Sequence, residues 1–128
     1  MNTPESPIGI FDSGLGGLTV FNEVRKALPG EDIIYFGDTA RLPYGNKSAG
    51  SVTKFSLQAR DFFYEKNVKL MLVACNTASV YAMKELKDRS DIPVLGVVDA
   101  GVRASLKNST EAVGIIGTYG TIKSGSYE

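Results

Sequence analysis

Short, unbroken apolar runs alternate along this chain with longer segments in which apolar residues recur every three or four positions. The runs are Ile8 to Phe11, Ile33 to Phe36, Leu70 to Ala74, Val94 to Val98 and Val113 to Ile116. They are continuous rather than alternating, as expected of parallel strands buried on both faces. Between them, Leu18, Phe21, Val24 and Leu28 share one helical face, and Pro29-Gly30 ends that helix. Val52, Phe55, Ala59, Phe62 and Phe63 mark a longer helix, and Val80, Met83 and Leu86 a third. Strand and helix in alternation predict an α/β fold, a parallel sheet with flanking helices and right-handed crossovers.

Two features interrupt this rhythm. The stretch from Gly37 to Gly50 is longer than most strand-to-helix loops and leaves the C-terminal end of a strand, where open parallel sheets bind ligands. The other is an internal echo. Ile8-Gly9-Ile10-Phe11-Asp12-Ser13 and Val113-Gly114-Ile115-Ile116-Gly117-Thr118 are both apolar runs with glycine second, ending in a small hydroxyl residue before a Gly-rich turn. Chance similarity is the competing explanation. Taken as a repeat, the echo divides the chain into a first α/β domain (1–98), a connector helix (99–111) and the start of a second α/β domain (112–128).

Composition narrows the class. The 128 residues are 43% hydrophobic and 22% charged, which suits a soluble globular chain of one domain's length. Fourteen basic residues balance fourteen acidic ones, so no basic surplus points to nucleic acid. No apolar stretch approaches the roughly 20 residues that span a bilayer, and the polar Met1 to Pro7 does not read as a signal peptide. One cysteine excludes an internal disulfide, and a lone thiol without a secretion signal suggests a reducing cytoplasm. The absence of histidine removes His-based metal sites, Ser-His-Asp triads and Cys-His dyads within this chain, and no metal site is expected.

Four places could carry chemistry. Asp12-Ser13-Gly14-Leu15-Gly16-Gly17 follows the first strand, where free N–H groups at a helix start suit an anion. It is neither a Walker loop nor the dinucleotide fingerprint, and the plain alternative is a tight turn with Asp12 or Ser13 as helix cap. Cys75-Asn76-Thr77 lies between a strand end and a helix start, a position that favours the thiolate form of cysteine; the alternative is a small buried hydrophobe. Pro43-Tyr44-Gly45 offers a hydroxyl and a glycine N–H, or a turn with Tyr44 packed on the surface. Gly117-Thr118-Tyr119-Gly120-Thr121 resembles a second anion cradle, or again a cap. Asp12 could accept a hydrogen bond from a substrate ammonium or tune a nearby thiol, whereas Asp38 is expected to order its loop. Lys47 and Lys123 receive no role.

Taken together and in order, Ile8 to Leu18, Leu42-Pro43-Tyr44-Gly45, Ala74-Cys75-Asn76-Thr77-Ala78 and Gly114 to Thr118 resemble the glutamate racemases of the aspartate/glutamate racemase family. The resemblance implies a doubly wound fold, the first of two pseudo-symmetric domains facing each other across a cleft. It implies conversion of L-glutamate to D-glutamate for peptidoglycan without a cofactor, in the cytoplasm. It matches Cys75 to a catalytic cysteine. Asp12 and Ser13, Tyr44 and Gly45, and Asn76 and Thr77 match pairs that contact the substrate, with Pro43 and Thr118 lining the same cleft. Asp12 is also carried as a catalytic candidate. The expected partners are glutamate and a second copy in a homo-oligomer, a dimer, with no nucleic acid and no membrane.

Family members carry a second catalytic cysteine and a nearby histidine in their later half, and this chain has neither. Cofactor-independent racemisation needs an acid/base group on each face of the α-carbon. One thiol supplies one face, so these 128 residues alone are expected to have little or no activity. Three other readings stay open: a racemase of another amino acid such as aspartate, a flavodoxin-like binding or signalling domain, and a non-catalytic glutamate-binding fragment.

Overall fold

The computed structural model describes residues 3–108 and 111–128. Strands β1 (Ile8–Asp12), β2 (Ile33–Gly37), β3 (Leu70–Val73) and β4 (Val94–Gly96) form one parallel sheet in the order β2-β1-β3-β4. Helix α1 (Leu18–Ala27) connects β1 to β2, and α2 (Ala49–Glu65) connects β2 to β3. The short helices α3 (Asn76–Tyr81) and α4 (Met83–Asp88) lead into β4. Then come α5 (Val97–Asn108) and α6 (Tyr119–Lys123).

The strand order positions the site. From β1 the chain steps outward to β2, then returns across β1 and lays β3 on its other side. Loops leaving the C-terminal ends of β1 and β3 therefore diverge, which opens a crevice at that switch point. Register brings their ends level: Phe11 lies opposite Val73, and the Ala74 N–H donates to the Phe11 carbonyl at 2.8 Å. The next residues on each strand are Asp12-Ser13 and Cys75.

β1 is buried along its whole length, because both faces of the sheet are covered. Ile8 and Ile10 pack with Ala74 against Val20, Phe21 and Val24 of α1. Phe11 belongs to the larger cluster with Met71, Val73, Val52, Ala59 and Phe63. Val52, Ser56, Ala59 and Phe63 form the buried stripe of α2. Ser48 caps that helix by accepting the Ser51 N–H at 3.2 Å. Its far end closes without glycine. Asn67 takes the left-handed conformation (φ 52°), the Asn67 N–H bonds the Tyr64 carbonyl, and the Val68 N–H bonds the Phe63 carbonyl.

Three elements differ from the sequence expectation. The helix marked by Val80, Met83 and Leu86 is interrupted at Ala82 (φ −108°, ψ −12°). There the Thr53 hydroxyl of α2 donates to the Tyr81 carbonyl at 3.2 Å, drawing it out of the helical ladder. The fourth strand stops at Gly96, and Val97 and Val98 open α5. That helix covers most of the expected connector, whose residues 109–110 lie outside the described ones. The largest correction is Val113 to Ile116, which forms no strand among the described residues. A strand is stabilised by pairing and by burial of its faces, and here Ile116 is 99% exposed.

Candidate active site

A cleft of about 520 Å³ opens over the C-terminal ends of β1 and β3. Asp12 and Ser13 line it from β1, Cys75, Asn76 and Thr77 from the start of α3, Pro43 from the long loop, and Thr118 from the start of α6. Four sequence segments thus converge because β1 and β3 are neighbours and α6 folds back onto α3. The Leu42-Pro43 bond in the rim is cis.

Cys75 is the N-cap residue of α3 and is only 6% exposed. Its Sγ accepts the Ala78 N–H at 3.4 Å and lies 3.5 Å from the Ser13 Oγ, to which the thiol donates. When the sulfur gives up its proton, the Ser13 hydroxyl can turn and donate in its place. The negative sulfur then has two donors facing it, one backbone and one side chain.

Asp12 departs from the sequence reading. It does not cap α1, whose N-cap is Gly17 without any side-chain bond. Its Oδ2 instead accepts the N–H groups of Gly14 and Gly17, both at 3.0 Å. Two of the loop amides expected to await a ligand anion are thus already occupied by the loop's own carboxylate. Gly17 is required for this closure, since a Cβ there would come within 2.6 Å of the Asp12 Cβ. Both hydrogen bonds use Oδ2, and Asp12 still lines the cleft.

The long loop is built inward. Tyr44 is buried in the core, not packed on the surface, and its hydroxyl donates to the Asp38 Oδ2 at 2.6 Å. Burial, and then the bond to Asp38, hold its phenol well above the ordinary range, so it stays a donor. The Arg41 guanidinium also reaches Asp38, at 2.7 Å, and lies over the Phe55 ring. Asp38 therefore orders the loop. The Tyr44 hydroxyl is committed to it. Gly45 has a different use: a Cβ there would meet the Thr118 Cγ2 at 2.6 Å. Its bareness lets α6 approach.

Thr118 caps α6 by accepting the Thr121 N–H at 3.3 Å, and its hydroxyl lies 3.1 Å from that of Thr77. Cap and cleft-lining residue are the same side chain. Thr121 belongs to the Gly117 to Thr121 motif, whereas two further side chains near the site, Tyr127 and Tyr35, were not singled out from sequence. Thr121 is buried, with its hydroxyl 3.0 Å from that of Thr118. The Tyr127 hydroxyl donates to the Asn76 Oδ1. Tyr35 stands behind Asp12, its phenol pushed up to about 12 by burial and then by the Asp12 carboxylate. Spacing singles out neither tyrosine; only the conjunction of a strand tyrosine with a post-strand aspartate could have flagged Tyr35. No three of the acidic and cysteine side chains cluster as a metal site among the described residues, and no helix there is long and apolar enough to cross a membrane.

A parallel sheet with a lone thiol at its switch point, flanked by hydroxyl and amide side chains, suits acid/base chemistry on a small polar substrate. Residues 8–128 match the Asp/Glu/Hydantoin racemase family, and the chain belongs to it. Within that family its similarity is to glutamate racemases. It is 51% identical to that of Oceanobacillus iheyensis, covering 96% of this chain and 45% of the relative. It is 54% identical to that of Geobacter metallireducens, covering 97% of this chain and 46% of the relative. The structure superposes on Aquifex pyrophilus glutamate racemase with a TM-score of 0.91 at 48% identity, covering 94% of this chain and 48% of that one. With the Thermus thermophilus glutamate racemase, solved in complex with β-chloro-D-alanine, the TM-score is 0.89 at 46% identity, covering 98% of this chain and 48% of that one. The chain thus spans about half the length of the curated relatives it matches. Neither an aspartate-specific racemase nor a signalling domain is supported by these comparisons.

Proposed function

We propose that this chain supplies one face of the active site of a cytoplasmic glutamate racemase, which interconverts L- and D-glutamate and provides D-glutamate for peptidoglycan. The observation that carries the reading is the Cys75 thiol: it lines the cleft at the sheet's switch point, with Ser13 Oγ at 3.5 Å. The names of relatives about half identical to this chain support the choice of substrate.

In this reading the Cys75 thiolate removes the α-proton from one enantiomer, and the electron pair stays on the α-carbon. A second acid, from residues other than these 128, delivers a proton to the opposite face. In the reverse direction the Cys75 thiol donates and the other group abstracts. The carbanion is the costly species, and donors to the substrate carboxylate stabilise it. Asn76, Thr77, Ser13 and Thr118 are assigned that task. The cleft side of Asp12 takes the ammonium. Pro43 shapes the rim, Tyr44 and Gly45 line up beside it as further substrate contacts, Gly45 also admits Thr118, and Tyr44 holds the loop through Asp38. No cofactor is invoked, and the working assembly is a homodimer.

The test is Cys75→Ser in the intact enzyme, assayed by chiral chromatography with L-glutamate, D-glutamate and L-aspartate. The wild type should racemise both glutamates and leave aspartate nearly untouched. The variant should lose at least about a thousand-fold in kcat while still binding glutamate by calorimetry. Turnover of the variant at the wild-type rate would remove Cys75 from the mechanism, and equal rates on aspartate would remove the substrate assignment.

A further inference from the structure

Behind the cleft, against the loop that carries Asp12 and Ser13, stands a tyrosine that the mechanism leaves unused. Tyr35 is the third residue of β2 and pairs with Ile10 of β1. The ring of Phe21 meets it edge-on at 6.2 Å, which holds it upright on the sheet. Its hydroxyl lies 2.8 Å from the Gly14 carbonyl and 3.5 Å from the Asp12 Oδ2. A Cβ on Gly17 would meet this hydroxyl at 3.0 Å, so the loop is drawn tightly over it.

We infer that Tyr35 is a positioning residue for the reaction: its hydroxyl anchors the Asp12-Ser13-Gly14 turn from behind and so seats Ser13 against the Cys75 sulfur. The inference rests on the racemase reading above. The path is short and physical. Tyr35 holds the Gly14 carbonyl, Gly14 follows Ser13 directly, and Ser13 Oγ lies 3.5 Å from Sγ. Asp12 braces the same turn from inside through the Gly14 and Gly17 amides, so the turn's carbonyl and amide sides are gripped by different groups. The phenol keeps its proton at any physiological pH, because burial and the adjacent carboxylate push its ionisation up to about 12. It is therefore a permanent donor. One proton serves two acceptors, and the shorter contact shows that the carbonyl receives it.

A positioning role makes a directional prediction. Tyr35→Phe keeps the ring and removes only the donor. Transfer at Cys75 should slow, while transfer at the opposite base should not. The kcat should fall on the order of ten-fold, about what one well-placed hydrogen bond supports. With substrate deuterated at the α-carbon, the primary isotope effect should rise for the enantiomer deprotonated by Cys75. It should fall for the other enantiomer, whose slow step becomes reprotonation from the Cys75 thiol. Loss of folded enzyme would lower both directions and leave both isotope effects unchanged.

The second readout is independent of turnover: amide exchange at Gly14 and Gly17 should speed up at least about five-fold, with β1 and β3 amides unchanged as the folding control. Unchanged exchange at both glycines would overturn the anchor. Faster exchange with isotope effects that do not diverge would overturn the link to Cys75. A wild-type enzyme inactive on glutamate would instead sink the functional reading, and amide exchange would still decide the anchor.

Discussion

The sheet and the C-terminal stretch contain similar apolar runs and meet opposite fates. Ile10 and Phe11 in β1 are fully buried, whereas Ile115 is 38% and Ile116 99% exposed. Their composition does not explain the difference. β1 has a strand on either side and helices on both faces. Val113 to Ile116 has no ladder partner among the described residues. An apolar run states what a segment would gain by pairing; neighbours decide whether it pairs. The two regions meet where α6 approaches α3 and the turn around Tyr44, and that join brings Thr118 into the cleft.

Four changes sharpen the contrast. Phe63→Ala empties a fully buried site under β1 and should cost about 3–5 kcal/mol in denaturant unfolding. Gly45→Ala strikes the join itself: its methyl would press on Thr118 at 2.6 Å. We expect a loss of about 1–3 kcal/mol, with weaker substrate binding as Thr118 is pushed from Thr77. The third change is alkaline pH. Tyr35 ionises near 10.0 when unfolded and near about 12 when folded, so folding favours its neutral form. That contribution is complete below pH 10 and is lost as pH rises towards 12. An unfolding-versus-pH series should therefore fall less steeply over this window in Tyr35→Phe than in the wild type. The smallest effect belongs to Ile116→Ser. A side chain already in water should change the stability of the 128-residue chain by no more than about 0.5 kcal/mol. A loss comparable to that of Phe63→Ala would mean that the stretch is packed, and the comparison would fail.

The four paired strands were legible because burial on both faces leaves an unbroken apolar run, and their helices because a buried stripe has its own period. Strand order was not written in any run, yet it is what sets Asp12 beside Cys75. The break at Ala82 depends on a hydroxyl from another helix, and the closure of α2 on Asn67 uses a residue that merely tolerates the left-handed conformation. At the site, the candidates Asp12, Ser13, Pro43, Cys75, Asn76, Thr77 and Thr118 line one cleft. Their positions followed from strand ends; their partners did not. The commitment of Asp12 to its own loop, and of Tyr44 to Asp38, arises from chain folding back over distances that local spacing does not encode. Tyr35 escaped notice because a strand tyrosine looks like any other β-former.

The account turns on Cys75 exchanging a proton with the substrate α-carbon, and deuterium entry from D2O reads that event directly. The intact enzyme should be incubated with each enantiomer of glutamate, and loss of the α-proton signal followed by NMR beside Cys75→Ser. Wild-type enzyme should introduce solvent deuterium at the α-carbon as it inverts the substrate. In the variant, the enantiomer that Cys75 deprotonates should keep its α-proton. Deuterium entering both enantiomers at wild-type rates without the thiol would contradict the account.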